Sequence, residues 1–130
     1  MTSHKELADR FYCQLLSGNR TTYVYSIDGE YIAEISLVRE MNDPDYTVSG
    51  KRIYVSHLIV KPDRRRQGIG RKLVDHVTDI AGKQGYCEMS IGVDLNNYPA
   101  LKLYTEAGFD KVVYIGEDEQ GQFIKLLKTL

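Results

Sequence analysis

The sequence predicts an α/β (α+β) fold: a mixed, mostly antiparallel sheet with one central parallel crossover and flanking helices. Three observations predict it. β-Branched and aromatic segments alternate with turn signals through residues 21–60. A strongly amphipathic stretch at 70–84 then separates one strand-like segment from the next. A helix that crosses over between two strands implies a parallel pair. A shorter helical segment and a closing strand pair complete the chain, so that residues 1–130 form a single domain.

Each element carries its own signal. Lys5 to Ser17 places Leu7, Phe11 and Leu15 at helical spacing, with Ala8 and Cys13 nearby, and reads as a first helix stopped at Gly18-Asn19. Thr21 to Ile27 and Tyr31 to Val38 read as strands joined through Asp28-Gly29, a dipeptide that tolerates positive φ. Asn42 to Asp45 is loop chemistry. Ile53 to Val60 is a third strand, ended by Pro62. From Gly70 to Gln84, Leu73, Val77 and Ile80 form an apolar stripe opposite charged residues, and Gly85 suits the helix end. Cys87 to Val93 is a fourth strand; Asn97 caps a helix with Pro99 in its first turn. Lys111 to Ile115 and Gln122 to Leu127 form the last pair across an acidic turn.

Composition removes several classes of function. With 42% hydrophobic and 27% charged residues the chain is globular rather than disordered. A formal net charge of -1 gives no general affinity for nucleic acid or for an anionic membrane. No apolar run reaches membrane-spanning length, and the opening Met-Thr-Ser-His-Lys-Glu lacks the apolar core of a secretory signal, so a cytoplasmic protein is expected. Cys13 and Cys87 have neither disulfide-framework nor metal spacing, and no metal is expected.

The junction between the third strand and the long helix is the chemically distinctive segment. It reads Lys61-Pro62-Asp63-Arg64-Arg65-Arg66-Gln67-Gly68-Ile69-Gly70-Arg71-Lys72. Unpaired backbone N–H groups and the positive end of the helix dipole converge there. Two glycines let an anion reach the backbone, and six basic side chains surround them. A P-loop would need Gly-Lys-Ser/Thr, which is absent, and a dinucleotide fingerprint would need a glycine where Leu73 stands. The loop alone is equally compatible with a solvated basic turn.

Two motifs together go further. Arg65-Arg66-Gln67-Gly68-Ile69-Gly70 resembles the pyrophosphate loop Gln/Arg-x-x-Gly-x-Gly/Ala of the GNAT superfamily of acyl-CoA-dependent N-acyltransferases. Asn97 through Phe109 resembles that family's Asn-x-x-Ala-x-x-Leu-Tyr-x-x-x-Gly-Phe. The resemblance covers roughly Thr22 to the C-terminus. It departs in one respect: with a helix at Lys5 to Ser17, the family's usual first strand is missing.

The resemblance implies an enzyme that transfers the acetyl group of acetyl-CoA to a primary amine by direct attack in a ternary complex. Gln67 to Arg71 would hold the pyrophosphate, with Arg65 and Arg66 beside it, and the pantetheine arm would pair along Leu58, Ile59 and Val60, whose N–H groups would polarise the carbonyl. Asn97 would bond the pantetheine or acyl region, or act as a helix cap alone. Tyr104 would protonate the departing thiolate; its alternative is a core aromatic beside Ala100, Leu103 and Ala107. A phenol of ordinary pKa ~10 is a suitable donor.

No base is obvious. Strand alternation puts Tyr54, Ser56, Leu58 and Val60 on one face and Ile53, Val55, His57 and Ile59 on the other. Glu34, on the neighbouring strand, is then the nearest carboxylate and the candidate for amine deprotonation. A non-catalytic acyl-CoA sensor is the alternative. Without a first strand, the uncharged Thr21–Ile27 segment would be a bare sheet edge, which suggests a homodimer.

Overall fold

The structure, a computed structural model, describes residues 9–15 and 18–130, with backbone alone for 9–15 and for His57. Among these residues seven strands form one sheet in the order β1-β2-β3-β4-β5-β7-β6. They are β1 (Asp9–Leu15), β2 (Arg20–Ile27), β3 (Glu30–Val38), β4 (Arg52–Val60), β5 (Glu88–Asp94), β6 (Lys111–Asp118) and β7 (Gly121–Thr129). The helices are α1 (Ile69–Lys83) and α2 (Tyr98–Glu106). Every adjacent pair is antiparallel except β4 and β5.

One expectation is overturned at the start of the chain. The described part of the Lys5 to Ser17 segment is a strand, not a helix, and pairs with β2 from Asp9↔Ile27 to Leu15↔Thr21. Leu7, Phe11 and Leu15 are four apart, a spacing that puts residues on one face of a strand as well as of a helix. Phe11, Cys13 and Leu15 also alternate with period two, and pairing against the β-branched β2 decides between the patterns. Residues 5–8 and 16–17 lie outside the described residues. The first strand is therefore present, and β2 lies between β1 and β3 rather than at an edge. The argument for a homodimer from a bare Thr21–Ile27 edge loses its basis.

α1 packs across β2, β3 and β4. Its stripe of Ile69, Leu73, Val74, Val77 and Ala81 is buried against Ile35, Leu37, Ile53 and Val55. Met89, Ile91 and Val93 continue the same core from β5, and Phe109, fully buried, closes it beneath α2 with its ring edge-on to Tyr104. The opposite face of β5 is covered by the 39–51 loop. Arg52 pins that loop by donating to the Pro44 and Asp45 carbonyls at 3.0 and 3.2 Å and to Glu88 at 3.0 Å. Ser90 Oγ donates to the Tyr46 carbonyl, and Lys125 reaches Asp43 and Asp45 at 2.7 and 3.1 Å.

Two irregularities position the site. The parallel ladder holds only from Arg52↔Glu88 to Tyr54↔Ser90, after which β4 and β5 splay apart. A β-bulge interrupts β4 as well: Ser36 pairs with Ser56, but Glu34 pairs with Ile59. The extra residue corrects the alternation expected for this strand. Ile59 joins Tyr54 and Ser56 on one face, while Val60, paired with buried Ala33, joins Val55 on the other. The side chain of His57 lies outside the described residues.

Candidate active site

The splay opens a passage through the sheet, bordered by α1 and α2. Its widest part is a cavity of about 650 Å³ at the start of α1. Leu58, Ile59 and Val60 of β4 form one wall and Asn97, Ala100 and Leu103 the other. Arg65, Arg66, Gly68, Ile69, Gly70 and Arg71 form the floor, with Arg64 beside them. Of the expected cofactor-binding residues only Gln67 and Tyr104 are absent from this lining.

The loop is shaped by backbone rather than by side chains. Pro62–Arg64 makes a single 3₁₀ turn, Arg66 and Gly68 take left-handed φ of 63° and 78°, and α1 then starts without a side-chain cap. The first helical bond bridging the N-cap is Lys72 N–H to the Gly68 carbonyl, which leaves the preceding N–H groups of α1 without intrahelical partners. Gly70 sits close to the cavity wall: a Cβ there would lie 3.3 Å from Leu103 Cδ2, which would have to give slightly, and 3.6 Å from Leu58 Cδ2. The basic residues divide. Lys61 pairs with Glu30 at 2.7 Å and Lys72 donates to the Tyr25 hydroxyl at 3.3 Å, so these two cations point away from the cavity that the arginines line. The cavity side is thus lined by helix-start N–H groups and by four arginines, of which Arg71 also pairs with Asp75 at 3.0 Å.

Deeper in the passage, a second cavity of about 330 Å³ shares Leu58, Asn97, Ala100 and Leu103 with the first. Tyr104 lines it together with Tyr54, Ser56 and the β5 residues Ile91 to Asp94. Asn97 caps α2 by accepting the Ala100 N–H at 3.3 Å and also lines both cavities. Tyr104 is 6% exposed. Burial, followed by the nearby Tyr54 phenol, pushes its pKa well above the ordinary phenol value, so that its proton is retained. Its ring packs in the core, and the residue also lines the cavity.

Glu34 is placed elsewhere. It accepts the Tyr31 hydroxyl at 2.9 Å on β3 and lines none of the cavities described. A third cavity, of about 360 Å³ on the loop side of the sheet, shares Tyr54, Gly92, Val93 and Asp94 with the second. Asp43, Tyr46, Asp118, Phe123 and Lys125 complete it. Sequence reasoning did not find these five residues, which come from the 43–46 loop and the β6–β7 hairpin. The period-two pattern of β5 is the only local signal, since it puts Asp94 on the face of Ser90 and Gly92.

Comparison with known proteins completes the description. Residues 2–109 match the family model described as the acetyltransferase (GNAT) family. The chain belongs to the GNAT acetyltransferase family. Mouse N-acetyltransferase family 8 member 3 is 30% identical over 108 residues, 83% of this chain and 46% of the mouse protein. The ribosomal protein bS18-alanine N-acetyltransferase of Escherichia coli K12 is 36% identical over 55 residues, 42% of this chain and 37% of that enzyme. The chain spans about half the length of the first of these relatives. A GNAT acetyltransferase from Elizabethkingia anophelis, solved with acetyl-CoA bound, superposes with a TM-score of 0.79 at 16% identity, covering 95% of this chain and 99% of that one. The solved E. coli S18-alanine enzyme superposes at 0.73 with 20% identity, covering 98% and 84%. In this GNAT domain no described helix is long and apolar enough to cross a membrane. No cluster of three potential metal ligands occurs among the described residues.

Proposed function

We propose that this GNAT domain is an acetyl-CoA-dependent N-acetyltransferase acting on a primary amine in a ternary complex. One observation carries the reading: the arginine- and glycine-lined cavity at the start of α1 is joined, through shared walls in the β4–β5 splay, to the cavity lined by Tyr104. Acetyl-CoA fits this arrangement, because N–H groups, dipole and arginines suit a pyrophosphate and the apolar walls suit a pantetheine arm. It supplies the thioester carbonyl when bound.

The chain's residues divide the remaining work. The backbone N–H groups of Gln67 to Arg71, with Arg65 and Arg66, hold the anionic end, while Gln67 itself lies outside the cavity lining. The bulged stretch Leu58–Val60 offers backbone N–H groups toward the splay, where they would polarise the carbonyl oxygen. Asn97 holds the α2 end of the passage. Tyr104 keeps its hydroxyl protonated beside the departing sulfur; its raised pKa makes it a weaker acid than an ordinary phenol, so it serves the thiolate first as a hydrogen-bond donor. The amine enters on the Tyr54 side and loses its proton to water in the passage; a role for Glu34 would run through such water. The test is acetyl-CoA-dependent release of CoA thiol across small amines and peptide N-termini, with calorimetry of acetyl-CoA on the same samples. Turnover with at least one amine is expected. Tight binding without any turnover would make the domain an acyl-CoA sensor, and absence of binding would overturn the proposal outright.

A further inference from the structure

The cavity on the loop side of the sheet has a chemistry of its own. Its wall is an aromatic pair, Tyr46 and Tyr54, with ring centroids 4.6 Å apart. This wall already accommodates one cation: Lys125 Nζ lies 4.9 Å from the Tyr46 centroid and 5.0 Å from that of Tyr114. Burial works against the Lys125 charge, but hydrogen bonds to Asp43 and Asp45 outweigh it and hold the ammonium. Two carboxylates at the cavity remain. Asp94 has no ion pair or side-chain hydrogen bond among the described residues, and Asp118 accepts only the Gln120 N–H of its own turn, at 2.9 Å. Asp94 stands where this cavity meets the one lined by Tyr104. Between the two mouths the passage is lined by the Tyr104 side chain, more than nine-tenths buried and with no hydrogen-bond partner among the described residues.

The geometry points to an acceptor that carries a second positive charge in addition to its reacting amine, such as an alkyl diamine or polyamine, with Asp94 and Asp118 setting this preference. A neutral amine is the nucleophile, and carboxylates around a lone ammonium would hold it protonated. They help only if a second cation, one that stays charged, takes their field. The aromatic wall accepts that cation and the intervening alkyl chain. This inference rests on the acetyltransferase reading above.

Calorimetric titration of 1,4-diaminobutane and of butylamine into the CoA-saturated protein tests it. At low salt the diamine is expected to bind about tenfold more tightly or better, with a preference that shrinks as salt rises. Asp118→Asn and Asp94→Asn should each cut that ratio to roughly threefold or less, while Glu119→Gln, on the same turn but outside the cavity, should leave it intact. Equal affinity for the two amines, no diamine binding at millimolar concentration, or a ratio unmoved in both Asp variants would overturn the inference. Acetyl-CoA is titrated separately into CoA-free protein of each variant. If it fails to bind, the acetyltransferase reading itself falls; if it binds and the diamine preference is missing, only this inference falls.

Discussion

The two mouths of the passage are built from different material. The mouth at the start of α1 is lined by main-chain N–H groups, two glycines and arginines, all within residues 64–71. The loop-side mouth is lined by carboxylates and aromatic rings from the 43–46 loop, β4, the C-terminal end of β5 and the β6–β7 hairpin. The first mouth is a local backbone conformation and suits a constant ligand. The second is a meeting of distant side chains, which can be exchanged one at a time without disturbing the sheet. A domain divided in this way can keep its acyl donor while changing its acceptor.

Substitutions should separate the two mouths. The largest effect is expected for Gly70→Glu. The new Cβ alone would press on Leu103, and the carboxylate would oppose the anion, so acetyl-CoA affinity should drop by about a hundredfold or more by calorimetry while circular dichroism stays native. Tyr104→Phe should lower kcat by ~10²-fold with little change in acetyl-CoA affinity, since the ring and its packing on Phe109 remain. The pH profile sharpens this. Because the Tyr104 pKa is raised, the hydroxyl stays protonated beyond the ordinary phenol pKa of ~10, and no alkaline loss of kcat below that pH should trace to it.

Smaller effects belong to the loop-side mouth. A Cβ at Gly92 would collide with the Tyr46 hydroxyl, so Gly92→Ala should raise the acceptor KM by roughly tenfold and leave acetyl-CoA affinity unchanged. Glu34→Gln should alter kcat/KM by less than about threefold, because its carboxylate faces Tyr31 rather than a cavity wall. A larger loss, with a shifted basic limb, would return Glu34 to the chemistry. The smallest effect is on stability. The hydrogen bond from Lys125 holds the Asp43 pKa below its ordinary value. The contribution of this pair is therefore present above the unfolded pKa of ~3.9 and fades as pH falls through the folded value. Thermal melts between pH 7 and pH 3 should show a slightly shallower acid decline in Lys125→Met than in the parent.

The same contrast explains what could be read in the sequence. The Gly68-Ile69-Gly70 turn, the α1 stripe and the Asn97 cap are short-range patterns, and all three lie where the sequence placed them. β1 was hidden because a four-residue spacing suits a helix and a strand alike, and only pairing with β2 resolves it. No glycine or proline marks the bulge between Ser56 and Ile59, so strict alternation misplaced Ile59 and Val60. The loop-side mouth depends on contacts such as Lys125 with Asp43, 82 residues apart, for which no local pattern exists.

The most direct test of the account maps CoA onto the backbone by amide chemical-shift titration. The largest shifts are predicted at Gly68, Ile69, Gly70 and Arg71, followed by Leu58 to Val60 and Asn97, with Asp118 and Lys125 scarcely moving. Shifts concentrated instead on the 43–46 loop and the β6–β7 hairpin, or spread over Lys61 and Lys72 with the α1 start silent, would contradict it.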